Sequence, residues 1–317
     1  ADVRTVLWVV LTIALVAFQF ARPEYAPYLF WLSAYFALAC GVIAHNHNHC
    51  PTFKSKRMNE LFGHVISIFY GYPTFAWIPT HNLNHHKFVN RAGDATITWR
   101  HSKKNSPLIL ITYPIVSGYY QSEPTKAFIQ QAKVKNPKLY RRIQIQYAVK
   151  LGSHAALLAL AISLHGAKQG LILWGLVCLI PALFALWTIM VFNYVQHIHT
   201  APWSDHNHSR SIVGYWTNFF LFHNGLPGAH HENAGAHWTK LPEIHAKYAA
   251  EIDPRLLHRS MWWYFIKQYL IAPFIPSLGT TQVGRAAYDP PDGNQRDLSA
   301  NDVGIGEEGT NEIILRA

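Results

Sequence analysis

Charged residues are scarce in this sequence, and acidic residues are the scarcer kind. Only 14% of the 317 residues are charged, with 17 acidic against 27 basic side chains. A soluble domain carries about 25% charged residues. The deficit argues against an ordinary water-facing surface and indicates that much of the surface lies in lipid. The net charge of +10 suits a face that rests on anionic lipid or meets acidic partners.

Cysteine is equally sparse, and its placement excludes several kinds of metal site. Cys40, Cys50 and Cys178 form no CxxC pair, zinc knuckle or iron–sulfur pattern, so we expect three reduced thiols. The sequence also lacks cytochrome, flavin and iron–sulfur signatures. A redox activity would therefore need electrons from a separate protein.

Apolar sequence is abundant by contrast and falls into four stretches. Each is close to the roughly 20 residues with which a helix crosses a bilayer. The stretches predict transmembrane helices at about 5–20, 26–44, 145–164 and 170–192. We therefore expect an all-α integral membrane protein with four transmembrane helices in two hairpins, within a membrane domain over 1–288. The polar end of the chain, 289–317, is predicted to be a disordered cytoplasmic tail.

The distribution of basic residues predicts the orientation in the membrane. The long segment between the two hairpins is rich in Lys and Arg, whereas the outer turns contribute only Arg22 and Lys168. The positive-inside rule places that segment and both termini in the cytoplasm, and we expect a bacterial inner membrane. Because the positive charge is spread along membrane-flanking segments, we expect no nucleic-acid partner.

The sequence contains 20 histidines, and many of them lie in spaced clusters. His45 and His49 follow the second apolar stretch and share one helix face, because residues four apart are neighbours on a helix. His81 and His85 have the same spacing. His86 is turned about 100° from His85 on a helix, so this adjacent pair could serve two different metal ions.

The later clusters repeat the arrangement at the end of the fourth stretch and beyond it. Asn193 and His197 lie in the sequence NYVQHIH, and His230 and His231 lie in HNGLPGAHHENAGAHW. Neutral imidazole is a good ligand for iron, copper and zinc, and its second nitrogen needs a partner. A single catalytic zinc needs three protein ligands, so eight or more candidates indicate two metals. Residues that could orient the ligands include Asn84, Asp94 and Glu232.

Other interpretations explain the histidine clusters less well. A lone histidine is usually a surface or core residue, and we apply this to histidines outside the clusters. Metal-buffering segments are typically repetitive runs rather than clusters at helix ends. A His-rich metal transporter stays as an alternative, but it would need polar or charged residues in mid-membrane. The first, second and fourth apolar stretches contain no charge.

The order of the clusters resembles the three histidine boxes of the membrane fatty acid desaturase superfamily. The similar segments are HNHNHCPTF, HNLNHHKFVNRAGDATIT, NYVQHIHTAPWSDHNHSR and HHENAGAHWTKLPEIH. The resemblance covers about 26–245 and implies a helical cytoplasmic cap that holds a di-metal site. It further implies two Fe ions, with O2 as co-substrate and no other bound cofactor. Carried over by position, the ligands would be His45, His49, His81, His85, His86, His197, His230 and His231, with Asn193 contacting a metal through water.

One position departs from the superfamily pattern. The last box usually reads HxxHH, but Pro227 stands three residues before His230 and cannot be a ligand. Either His223 replaces it or the site has one ligand fewer, and we favour His223. The departure bears on the reaction outcome rather than on the presence of metal.

The resemblance implies an O2-dependent oxidoreductase that acts on a fatty acyl chain as free acid, thioester or lipid. The reaction we expect first is desaturation by C–H abstraction. Hydroxylation and oxidative decarboxylation to a terminal alkene are alternatives on the same scaffold. The electrons would come from a separate ferredoxin, rubredoxin or cytochrome b5-like protein, and the remaining partner is membrane lipid.

Overall fold

The computed structural model describes residues 2–291 and Val303, and these residues divide into two compact units. The first unit contains residues 2–77 and Gln131–Ile189, and the second contains Ile78–Gln130, 190–291 and Val303. The tail predicted to be disordered, 289–317, lies almost wholly outside the described residues. The assignment of 1–288 to one membrane domain stays a prediction.

Helices dominate both units. The α-helices are α1 Val3–Ala21, α2 Ala26–His49, α3 Lys56–Tyr70, α4 His86–Phe88, α5 Pro107–Lys135, α6 Pro137–His165, α7 Ala167–Trp174, α8 Ile180–His197, α9 Tyr215–Phe220, α10 Pro227–Glu232, α11 Leu241–Tyr248 and α12 Met261–Phe265. Wider π-helical turns cover Ile78–His85, Gly175–Leu179 and Ile266–Ile271. The strands among the described residues are two short ones, β1 Ser211–Ile212 and β2 Leu257–His258, which pair in parallel.

Four helical segments are long and apolar enough to cross a membrane, which confirms the all-α membrane fold. They are Val3–Ala21, Pro23–His49, Pro137–His165 and Ala167–His197. Each is longer than its predicted span because capping groups, and not only apolarity, set the helix ends. The Asp2 carboxylate, for example, accepts a hydrogen bond from the Thr5 amide and so begins α1 before the apolar stretch.

The first unit packs its spanning helices in pairs, with α1 against α2 and α6 against α7. Small residues allow close approach between them. A methyl group at Gly41 of α2 would collide with Ile189 and Tyr70, so α2 packs there without room for a side chain. An apolar cluster then fills the space among α1, α6 and α7, with Val16, Phe20, Ala161, Leu173 and Val177 as members.

The second unit holds longer loops, and two of them return to the helix ends. The loop after α4 passes through positive φ at Val89 and Asn90. The loop after α8 ends where the Arg210 amide donates to the Gln196 carbonyl, just before β1. Tyr194, Phe222 and other residues without exposed surface form its core. These two loops determine the surroundings of the histidines described next.

Candidate metal centre

The second histidine box lies on a π-helix rather than on an α-helix. Ile78–His85 forms this wider helix, and α4 continues it from His86. The rings of His81 and His85 are stacked with centroids 5.2 Å apart, so the two residues share a face as expected. His86 is also close to His81, with ring centroids 4.6 Å apart. The box therefore presents three imidazoles together, and π-helical turns are frequent at functional sites.

One group of histidines in the second unit consists of His81, His86 and His230. The Nε2 atom of His86 lies 3.1 Å from Nε2 of His81 and 3.0 Å from Nε2 of His230. The Nε2 atoms of His81 and His230 are 3.3 Å apart. Metal–nitrogen bonds of about 2.0–2.1 Å place neighbouring ligand nitrogens roughly 3.0–3.4 Å apart. The three nitrogens are thus spaced as ligands of one ion.

A second group in the same unit consists of His85, His197 and His231. Each offers one ring nitrogen, and these atoms all lie within 4.8 Å of one another. The ring centroid of His85 is 4.8 Å from that of His197 and 4.9 Å from that of His231. The adjacent residues His85 and His86 therefore belong to different groups, as do His230 and His231.

Asp94 fixes the orientation of His85. The His85 Nδ1–H donates to Asp94 Oδ2 at 2.8 Å, which leaves Nε2 as the nitrogen with a free lone pair. Both side chains are fully buried. Burial alone would raise the pKa of Asp94, but electrostatic interaction with His85 and hydrogen bonds from His85, Thr96 and the Asn90 amide bring that pKa below its ordinary value. A buried carboxylate next to a histidine is typical of metal ligation.

Polar residues of the loop after α4 hold Asp94 in place. The Thr96 amide and hydroxyl each donate to Asp94 Oδ1 at 2.7 Å, and the Asn90 amide donates to Oδ2 at 2.7 Å. Asn84 ties the loop to the π-helix through hydrogen bonds to Gly93 and Ala95. Thr96 and Asn90 were not among the predicted site residues. The signal that could have found them is the run of polar residues directly after the second box.

The end of α8 carries Asn193 and His197 into the same network. The His197 Nδ1–H donates to the His208 carbonyl at 3.2 Å, which directs Nε2 towards the second group. The Asn90 amide group donates to the His197 carbonyl at 2.8 Å. Asn193 donates to the Tyr113 hydroxyl at 2.7 Å and lies one helical turn before His197. The contact of Asn193 with a metal through water stays a prediction.

The last box lies on α10, which begins at Pro227. The ring centroids of His230 and His231 are 5.7 Å apart. The Nδ1 atom of His223 is 3.0 Å from the Trp238 carbonyl, and the two groups described above do not include His223. Glu232 is exposed at the end of α10. Its charge adds to burial in raising the pKa of Tyr248.

The first box belongs to the first unit. His45 and His49 lie at the end of α2, and their ring centroids are 5.1 Å apart. One nitrogen of each lies within 4.8 Å of one nitrogen of the other. The His45 ring also lies 5.1 Å from the Trp77 ring. The predicted pairing of these two histidines on one helix face is therefore present.

The donor set fits transition-metal ions. Both groups of the second unit consist of imidazole nitrogens, which suit iron, copper and zinc. The Nδ1 atom of His231 is buried and has no hydrogen-bond partner among the described residues. Burial, and then electrostatic interaction with His86, His85, His197 and His208, lower the pKa of His231 well below its ordinary value, so the ring is neutral and can act as a ligand.

Comparison with known proteins adds a single finding. The family model described as fatty acid desaturase matches residues 23–274, which is well over half of the chain and includes every histidine discussed above. No curated protein and no solved structure matches the chain.

Proposed function

The chain belongs to the fatty acid desaturase family, and we propose that it is a di-iron enzyme that introduces a double bond into a fatty acyl chain. Family membership makes it an oxidoreductase and supports O2-dependent action on a fatty acyl substrate. The observation that carries the di-iron proposal is the pair of three-histidine groups in the second unit, one of them spaced like ligands of a single ion.

The proposed ligands divide between two ions. The first group supplies His81, His86 and His230, and the second supplies His85, His197 and His231. The family resemblance adds His45, His49 and Asn193, whose assignments to an ion stay open. His223 as a further ligand is a prediction from sequence. When bound, two irons would supply the O2 activation that removal of hydrogen from a saturated carbon requires.

The contribution of the chain itself is to orient and protect these ligands. Asp94 holds the proton of His85 on Nδ1, and the His208 carbonyl does the same for His197. Both Nε2 lone pairs are thereby kept for metal. Since His85 and His197 are fully buried, bulk water is kept from their side of the site. Such partners raise ligand basicity and fix ring orientation.

The substrate and partners follow from the membrane setting. Four apolar helices of the required length support an integral membrane enzyme whose substrate is a fatty acyl chain as free acid, thioester or lipid. We place the metal site and both termini in the cytoplasm of a bacterium, on its inner membrane, because the basic residues concentrate between the hairpins. A separate ferredoxin, rubredoxin or cytochrome b5-like protein would deliver electrons.

One observation favours a second reaction. Pro227 occupies the position at which the last box usually carries a histidine, and it is the first residue of α10. A changed ligand set alters how a substrate carbon is presented to the metal centre. The alternative function is therefore hydroxylation, or oxidative decarboxylation to a terminal alkene, at the same two ions.

The product formed from an isotope-labelled saturated fatty acid tests the proposal. Bacterial cells would express the chain with a matched electron donor, and lipids and volatile hydrocarbons would be profiled. We expect labelled fatty acids with internal double bonds. A labelled hydroxy acid or terminal alkene would show that the chain catalyses the alternative reaction instead of desaturation. If no labelled oxidation product formed with any of the three donors, both proposals would be contradicted.

Single substitutions connect that product to the metal centre. We expect His85→Ala and His231→Ala each to lower product formation by more than about 100-fold, which exceeds the 10–100-fold effect of partners outside the ligand set. Iron per chain should fall in parallel, while insertion into the membrane is unchanged. His101→Ala is the matched control, because His101 is exposed. Full activity and iron content in His85→Ala would refute the site.

A further inference from the structure

The loop between α8 and β1 brings a histidine outside the family boxes to the second histidine group. This loop, residues 198–210, folds back on the helix end. The Arg210 amide donates to the Gln196 carbonyl at 2.7 Å, and the Thr200 hydroxyl donates to the His208 carbonyl at 3.1 Å. With the His197 Nδ1–H bond to that same carbonyl, these contacts hold His208 beside His197.

We propose that His208 is a further nitrogen ligand of the metal ion at the second histidine group. The inference rests on the proposed function, because it requires that His85, His197 and His231 hold an ion. His208 is in none of the histidine boxes, so the box pattern does not assign it.

The ring of His208 lies against one member of the group, His231. Its centroid lies 5.5 Å from that of His231, with an interplanar angle of 86°. The rings of His197 and His231, both members, are also 5.5 Å apart, at 79°. His208 thus faces His231 from the same distance and at nearly the same angle as an assigned ligand does.

The Nδ1 atom of His208 lacks a partner that a buried nitrogen needs. It is buried and forms no hydrogen bond with any described residue. A buried polar atom left unpaired costs about 1–3 kcal/mol, so such atoms are rare in folded proteins. A bound ion would satisfy it.

The sequence candidate for this role is held differently. The Nδ1 atom of His223 lies 3.0 Å from the Trp238 carbonyl, and its ring packs 5.4 Å from the Trp238 ring. His223 therefore contributes to packing around Trp238, whereas the ring of His208 contacts His231 directly. The two histidines can be separated experimentally.

Iron affinity distinguishes the two candidates. Detergent-purified variants would be titrated with Fe(II) under anaerobic conditions against a competing chelator. We expect His208→Ala to lower the affinity of one of the two ions by roughly 10–100-fold or more, as loss of a ligand should exceed loss of its outer partner. His223→Ala and His206→Ala should bind like the parent. His206 is the matched control, because it is nearby but pairs with Glu251.

Chemical rescue separates ligation from packing. Free imidazole should restore iron affinity to His208→Gly. It should not restore iron affinity to His85→Ala if Asp94 is needed to orient the ring of His85. Parent-like affinity in His208→Ala, or weakened binding in His208→Gly that imidazole leaves unchanged, would overturn the proposal. Weakened binding in His223→Ala alone would assign the ligand to His223. If His85→Ala also kept parent affinity for two ions, the proposed metal site itself would fail.

Folding of the variants can be checked in the same samples. Each should elute from size-exclusion chromatography as one symmetrical peak. If His208→Ala aggregates, His208→Gln keeps the length and polarity of the side chain but replaces the imidazole. Its iron affinity then decides the matter in the same way.

Discussion

Buried polar side chains are arranged differently in the two units of this protein. Between α1 and α2 of the first unit they form separate pairs, Gln19 with Ser33 and Trp8 with Tyr35. In the second unit they form a connected network, in which Asp94 accepts hydrogen bonds from His85, Thr96 and the Asn90 amide. Buried polar groups therefore serve different purposes in these two places.

The difference follows from what each unit must accomplish. The spanning helices of the first unit are apolar, and a polar side chain there needs one nearby partner because lipid offers none. Histidines that bind a metal need a fixed tautomer and orientation, and a network of several hydrogen bonds supplies both. We expect single losses in the first unit to cost a little stability, and single losses in the second to reduce metal binding.

The sharpest test of this comparison is Asp94→Asn. The amide keeps the size of the side chain but removes the negative charge that holds the proton of His85 on Nδ1. We expect iron affinity and product formation to fall by about 10–100-fold, the usual effect of losing such a partner. Iron per chain and labelled product would be measured on the same preparation.

Asp289→Asn is the control for this substitution. Asp289 is an exposed aspartate of the same unit, so its loss should leave both quantities unchanged. If Asp94→Asn retained full iron affinity, the network around Asp94 would be part of the fold only, and the contrast between the units would lose its functional meaning.

The spanning helices could be predicted well from sequence. Apolar runs of membrane length are a strong signal, and all four occur as helices. Their ends were less predictable, because the Asp2 cap determines where α1 begins and the Pro23–Tyr25 turn separates α1 from α2. The π-helical turn at Gly175–Leu179, within the fourth span, had no signal in the hydropathy pattern.

The site could be predicted only in part. The spacing predicted that His81 and His85 share a face, and that the adjacent residues His85 and His86 point in different directions. Spacing of four residues did not indicate that His81 would meet His86, five residues later, which the π-helix makes possible. His208 and Arg210 depend on a loop that folds back on its own helix, and no periodic pattern encodes such a path.

Arg210 offers a second test, with an expected effect on stability as well as on iron. Its guanidinium is fully buried, and Nη1 donates to the carbonyls of Val195 and Ile198 at the end of α8. Arg210→Met would leave both carbonyls unpaired, each at a cost of about 1–3 kcal/mol. We expect the free energy of unfolding to fall by about 2 kcal/mol or more.

The substitution should also weaken iron binding at the second group, because His197 lies between the two carbonyls. Chemical denaturation in mild detergent and iron analysis would measure the two effects together. Arg259→Met is the control, because the Arg259 side chain is exposed. A stable Arg210→Met protein that keeps its iron would mean that the end of α8 is held by its other contacts alone.

The smallest expected effect concerns Ser33 in the first unit. Its hydroxyl accepts a hydrogen bond from Gln19 Nε2 at 2.9 Å, between α2 and α1. Hydrogen bonds between transmembrane helices contribute on average about 0.6 kcal/mol, and Gln19 keeps a second bond to the Leu15 carbonyl. We expect Ser33→Ala to lower the free energy of unfolding by about that amount, with iron affinity unchanged.

Ser163→Ala is the control, because the Ser163 side chain is exposed, and it should change neither the free energy of unfolding nor the iron affinity. If Ser33→Ala reduced iron affinity as strongly as Asp94→Asn, polar pairs of the first unit would also shape the metal centre, and the division of roles between the units would be wrong.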